Sequence, residues 1–173
     1  MILKIIGSVL TISSMSAMGF YFSIVLKTRL AELKELKKYI FILRGDIRYG
    51  GTPLPEAMDG LAGRSPGSFQ HFFRIIADKL CELNGETFGE VWKQGVEQDL
   101  KDTCLSKEDK MYLEKFGEHL GYLDKEMQIN TIDLFITQLE AQIADLTGMV
   151  KEKTRLYNLL GIMAGVFVTI IMI

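Results

Sequence analysis

Charge is almost absent from both ends of this chain. All 22 acidic residues and every one of the 20 basic residues except Lys4 lie between Lys27 and Arg155. The segments left outside, 2–26 and 156–173, are apolar runs. As helices rising 1.5 Å per residue they reach about 37 Å and about 27 Å, a tilted and a short membrane crossing. A cleaved leader is the competing reading of the first segment, because Ser16-Ala17-Met18 offers small residues for processing. The apolar run continues through residues 20–26, however, which a cleaved signal does not need. The expected organisation is a first membrane helix at 1–26, a helical domain at 27–155 and a second membrane helix at 156–173.

Orientation follows from the charges beside these segments. Lys27, Arg29, Lys34, Lys37 and Lys38 follow the first, and Lys151, Lys153 and Arg155 precede the second. Basic residues stay on the cytoplasmic side, so the middle is expected in the cytoplasm and both termini outside. The middle itself is close to neutral and lacks the basic field that nucleic acid binding requires. Cys81 and Cys104, without CxxC partners, read as two reduced, partly buried thiols.

Within 27–155 the apolar residues repeat at helical spacing, and no useful stretch alternates at period two. Leu33, Leu36, Ile40, Leu43 and Ile47 mark a first amphipathic helix, stopped at Gly50-Gly51. Thr52-Pro53 opens a short helix carrying Leu54, Ala57, Met58 and Leu61. Ser65-Pro66 is the expected cap and first position of the next helix, with Phe69, Phe72, Phe73, Ile76, Leu80 and Leu83 on one stripe, ending near Asn84-Gly85. Thr87 with Glu90 forms a capping box before Val91, Trp92, Val96 and Leu100, and Ser106 with Asp109 forms a second before Met111, Leu113, Phe116 and Leu120. Gly121 is expected to close that helix. Ile129, Ile132, Ile136, Leu139, Ile143, Leu146 and Val150 then repeat like a coiled-coil seam. The fold class is all-α: an antiparallel bundle of about six helices flanked by two transmembrane helices.

Candidates for chemistry are thin. His71 and His119 stand alone on helices beside phenylalanines, and no sequence context turns Cys81 with either into a thiol–imidazole pair. No phosphate-loop pattern occurs, and Gly117, Gly121 and Gly50-Gly51 read as helix caps. Acidic pairs such as Glu82 with Glu86 and Asp99 with Asp102 read as solvated faces, with docking of a basic partner as the functional alternative. No catalytic residue, metal or cofactor is expected. In the membrane, Gly161 and Gly165 form a GxxxG that lets another helix approach, and Ser13 with Ala17 is a weaker small-residue pair.

The stretch Gly50-Gly51-Thr52-Pro53-Leu54-Pro55-Glu56-Ala57, the segment running from Leu120-Gly121 through Asp124 to Gln128, then Gln138-Leu139 and Leu160-Gly161-Ile162-Met163-Ala164-Gly165 carry a resemblance. In this order they are similar to the stage III sporulation protein AB family of endospore-forming bacteria, over essentially the whole chain. One departure is Leu123, where that family would place a small polar residue. Gly51-x-Pro53-Leu54-x-Glu56-Ala57 and Gly85-Glu86-x-x-Gly89 further resemble motifs in the inner-membrane platform protein of type II secretion and type IV pilus systems.

The resemblance implies a non-enzymatic platform in the transenvelope complex between mother cell and forespore. It would sit in the mother-cell membrane facing the forespore and dock a cytoplasmic secretion-type ATPase, stage III sporulation protein AA. Other membrane proteins of the stage III sporulation A operon would be further partners. The candidate contact residues are Gly50, Gly51, Pro53, Leu54, Glu56, Ala57, Gly85, Glu86, Gly89, Glu90, Gly121, Asp124 and Gln128. The alternative is a passive scaffold, a homo-oligomer joined through the long-helix seam and the GxxxG span.

Overall fold

The structure is a computed structural model that describes residues 2–82, 85–121 and 124–172, with the backbone alone at 2–6, 8, 171 and 172. It is all-α. In chain order come α1 (Ile2–Gly45), a widened π-type turn (Asp46–Gly50), α2 (Leu54–Ala62), α3 (Gly67–Cys81), α4 (Phe88–Asp99), α5 (Lys107–Leu120) and α6 (Lys125–Met172). The chain divides into two compact units. One joins Met1–Leu30 to Ala144–Ile173, and the other is Ala31–Ile143.

In the first unit the two segments lie antiparallel and in close contact. A Cβ on Gly19 would stand 2.5 Å from the Tyr157 carbonyl oxygen, and one on Gly161 would stand 2.9 Å from that of Met15. A Cβ on Gly165 would meet the Ile12 Cα at 2.9 Å. Backbones approach this closely only where side chains are missing. Phe22 and Tyr157 pack ring to ring beside the contact, and Ser23 is buried. Leu159, Leu160, Met163, Phe167 and Ile170 remain exposed. Among the described residues one helix, α1, is long and apolar enough to cross a membrane.

The second unit is organised around Trp92. Its indole is fully buried and donates its N–H to the Leu113 carbonyl at 2.8 Å. Phe72 and Phe116 meet it edge-on, and Phe88 stacks on it. The cluster extends through Phe73 to Tyr39 and Phe69 on one side and through Phe116 to Phe135 on the other. Gly117 lies under the indole, where an added Cβ would come within 2.0 Å of the ring. Gly95 similarly leaves room for Phe72. Leu33, Leu36, Ile40, Leu43 and Ile47 are all buried, so the amphipathic stripe of α1 faces this core as its spacing requires. Lys37 pairs with Glu140 and Arg44 with Asp133, which sets α1 and α6 antiparallel within the unit.

The helix ends follow from local chemistry. Gly51 adopts φ +61°, the left-handed conformation that ends the π-type turn, and its N–H reaches the Asp46 carbonyl; a side chain there would be strained. Both capping boxes form, Thr87 with Glu90 and Ser106 with Asp109. Three local expectations are corrected. Ser65 does not cap α3; its buried hydroxyl donates to the Leu61 carbonyl at 2.7 Å and so finishes α2. Gly117 is not a cap but a position of close packing inside α5, under Trp92, whereas Gly121 caps α5 as expected, in a right-handed conformation and close against Phe88. Cys81 is exposed rather than partly buried, whereas Cys104 is half-buried, and both thiols are free. Leu83 and Asn84, read as the end of α3, and Leu123 fall outside the described residues.

Candidate docking end of the helical unit

Described parts of three segments singled out from the sequence lie at one end of the Ala31–Ile143 unit. Because α1 and α6 are antiparallel, the turn after α1 and the start of α6 lie together: a Cβ on Gly51 would stand 3.9 Å from the Lys125 Nζ. Because α4 and α5 pack side by side, the start of α4 meets the end of α5. A Cβ on Gly89 would contact the Glu118 Cα at 3.2 Å, and one on Gly121 would contact the Phe88 Cβ at 2.6 Å. The end of α5 at Gly121 therefore lies against Phe88, and the start of α6 at Lys125 lies beside Gly51.

Several candidate residues turn out to hold this end together. Asp124 accepts the Met127 N–H through its side chain at 2.9 Å, the role of an N-cap of α6. Gln128 reaches back and donates its side-chain amide to the Leu120 carbonyl at 3.0 Å, satisfying the end of α5. Glu90 accepts from the Thr87 N–H and hydroxyl. Those bonds hold its carboxyl below the usual carboxylate range, the backbone N–H contributing most. Ala57 and Gly89 are buried, and Leu54 is partly so. Gly50 and Gly51 shape the turn, and Gly85, at φ +81°, bends the chain before α4.

Facing solvent at this end are Pro53, Glu56, Glu86 and Glu90, with Asp124 and Glu126 beside them and two basic residues, Lys93 and Lys125, among them. A shallow cleft of about 300 Å³ is lined by Thr87, Gly89, Glu90, Lys93 and Glu118. Glu86 is steadied by the Gln94 side-chain amide at 2.8 Å. The surface is predominantly acidic and rigidly mounted, which suits charge-steered recognition of a basic partner.

The remaining candidates lie elsewhere. Gly161 and Gly165 face Ile12, Met15 and Gly19 of the chain's own first segment. Ser13 and Ala17 are exposed on another side of that segment; the small residue that meets the second segment is Gly19, one helical turn past Met15. His71 is exposed and 3.6 Å from Asp99. His119 lines a cleft of about 330 Å³ between α5 and α6 whose lining includes Phe116 and Phe135. That cleft was not legible in the sequence, because it depends on how two helices separated by a turn are spaced. Among the described residues no group of three or more His, Cys, Asp or Glu is placed to hold a metal.

With long first and last helices and four short ones between them among the described residues, this is by class an all-helical bundle protein. The stage III sporulation protein AB family matches residues 4–173, and the chain belongs to that family. It is similar to stage III sporulation protein AB of Bacillus subtilis (strain 168), 26% identical over 170 residues that cover 98% of this chain and 99% of the relative. A solved structure of stage III sporulation protein AB superposes with a TM-score of 0.65 at 28% identity, covering 71% of this chain and 96% of that one.

Proposed function

We propose that this chain is a non-enzymatic membrane platform of the transenvelope complex needed for endospore formation. Two helices cross the mother-cell membrane that faces the forespore, both termini lie outside, and the Ala31–Ile143 unit stands in the cytoplasm. Its acidic end docks a cytoplasmic secretion-type ATPase, expected to be stage III sporulation protein AA, and other membrane proteins of the stage III sporulation A operon join the assembly. The observation that carries this reading is convergence. The two motifs that resemble those of secretion platform proteins, at residues 51–57 and 85–89, are far apart in sequence, yet Gly51 stands beside Lys125 at the start of α6 and Gly89 beside Glu118 near the end of α5, so both stand at the end of the unit where α5 finishes and α6 begins. The capping bonds of Asp124, Gln128 and Glu90 mount that end rigidly, as a surface receiving a partner requires.

The alternative, a passive scaffold self-associating through the seam and the GxxxG span, meets an obstacle. Ile132, Leu139 and Leu146 of the seam are buried within the chain, and Gly161 and Gly165 already receive the chain's own first segment.

The test is binding of the purified ATPase to the full chain in lipid nanodiscs. Wild type binds with a Kd in the tens of micromolar or tighter, and Glu56→Lys with Glu86→Lys weakens it by about tenfold or more, as reversal of two rim charges does. Absence of binding at about 100 µM excludes direct docking. Unchanged affinity in the double variant moves the contact away from this end.

A further inference from the structure

Charged side chains stand on the exposed face of every helix in the Ala31–Ile143 unit, but one long strip carries none. It runs along α6 through Met127, Asn130, Leu134, Thr137, Gln138 and Ala141, all exposed. At 100° per residue these six lie within about 60° of Leu134, so they form one ridge about four turns long. Leu134 is 62% exposed and Met127 54%, in a chain with 24% charged residues. Beside the middle of the ridge, the flanking acidic groups are neutralised from within the chain: Asp133 by Arg44 and Glu140 by Lys37. Between those two ion pairs, Phe41 of α1 stands 60% exposed. On the other side the ridge borders the α5–α6 cleft, with Tyr112, Lys115 and His119 on its far wall.

Depletion of charge at the centre with polar and charged groups at the margin is the composition of a protein interface. The chemistry also selects the occupant. Side-chain amides both donate and accept, so the exposed amides of Asn130 and Gln138, around leucine, methionine and alanine, make the strip complementary to itself, while Thr137, whose hydroxyl donates to the Asp133 carbonyl, can still accept. A charged partner would instead bury its charge opposite groups that cannot neutralise it. We propose that this ridge is the docking surface for a second copy of the chain, α6 against α6 across a two-fold axis with Leu134 near the axis. The proposal is independent of ATPase docking, since Glu56 and Glu86 lie outside the ridge. It also differs from association through the seam or the glycines, which are occupied within the chain.

The experiment uses the full chain with Cys81→Ser and Cys104→Ser, in native membranes and in detergent. Leu134→Cys forms a disulfide-linked dimer under mild oxidation about tenfold faster than Gln70→Cys, an exposed control on α3, because only residues near the axis approach their own copies. In a separate variant with both cysteines retained, Leu134→Glu raises the dimer dissociation constant by about tenfold or more, by opposing two carboxylates, while thermal unfolding of the protomer is unchanged. Equal oxidation rates at residues 134 and 70, a chain that stays monomeric up to about 100 µM in detergent, or cross-linking of Leu134→Cys to a species of different mass each overturn it.

Discussion

Glu32 is a poorly accommodated titratable side chain of the helical unit. It sits on the buried side of α1 against the loop between α4 and α5, and one carboxylate oxygen is buried without a hydrogen bond. Burial pushes its carboxyl above the usual range; the Cys104 amide pulls it back, Glu35 pushes it further, and Lys110 and the Leu105 amide pull it down. Burial also raises the neighbouring Cys104 thiol, with Glu32 adding to it. A raised carboxyl binds its proton more readily in the folded than in the unfolded chain, so ionisation of Glu32 destabilises the fold as pH rises through the folded value. Glu32→Gln therefore raises the unfolding temperature at pH 7, and the gain disappears as pH falls towards 4.5, the ordinary value of the group. Thermal unfolding of both proteins across that range checks it, and a gain independent of pH contradicts it. No sequence signal marked Glu32, because the loop that buries it is about seventy residues away in the chain.

At the scale of elements, helix boundaries were largely readable and helix contacts were not. The Thr87 and Ser106 boxes start α4 and α5 where their side chains can accept the third N–H of each helix, and Gly50-Gly51 stops the first helix as read. Each depends only on residues within one turn. Ser65 was misjudged because its hydroxyl could finish α2 or start α3, and the choice depends on which carbonyl the folded loop brings close. Gly121 ends α5 as read, but Gly117 lies inside that helix and makes room for Trp92. For the GxxxG, sequence named one side of the contact but not the residue it meets, which is Gly19, while the small pair Ser13 and Ala17 is exposed elsewhere on that segment. That difference gives a prediction. Gly161→Ile forces the paired segments apart and lowers the stability of the full chain in detergent by about 1–3 kcal/mol, the usual effect of overpacking. Ala17→Ile, on the exposed side, leaves it within about 0.5 kcal/mol. Thermal unfolding of the two variants distinguishes them, and equal losses contradict the pairing.

At the scale of the whole molecule, the proposed arrangement has a definite topology. The basic residues from Lys27 to Lys38 and from Lys151 to Arg155 flank the apolar segments on their inner sides, and Lys4 is alone at the outer end. The membrane potential and the translocation machinery keep such clusters in the cytoplasm. A chain with Cys81→Ser, Cys104→Ser and Gly63→Cys, the last in the exposed loop between α2 and α3, is expected to resist an impermeant maleimide in intact sporulating cells and to react after lysis. Reaction in intact cells would put the helical unit outside, beyond the reach of a cytoplasmic ATPase.

What sequence determined alone are the features whose physics is local or cumulative along the chain: helix as the regular element among the described residues, the caps, the apolar ends and the buried stripe of α1. Family membership was also legible, because the residues that carry it stand in fixed order. Tertiary structure alone decided which glycines are close contacts, that Asp124 and Gln128 brace the end of α5 and the start of α6, that Glu32 is half-buried, and that α6 presents an uncharged ridge. The reason is common to all four. Each depends on the spacing of helices that meet across dozens of residues, and helical periodicity specifies a face without specifying the partner that covers it.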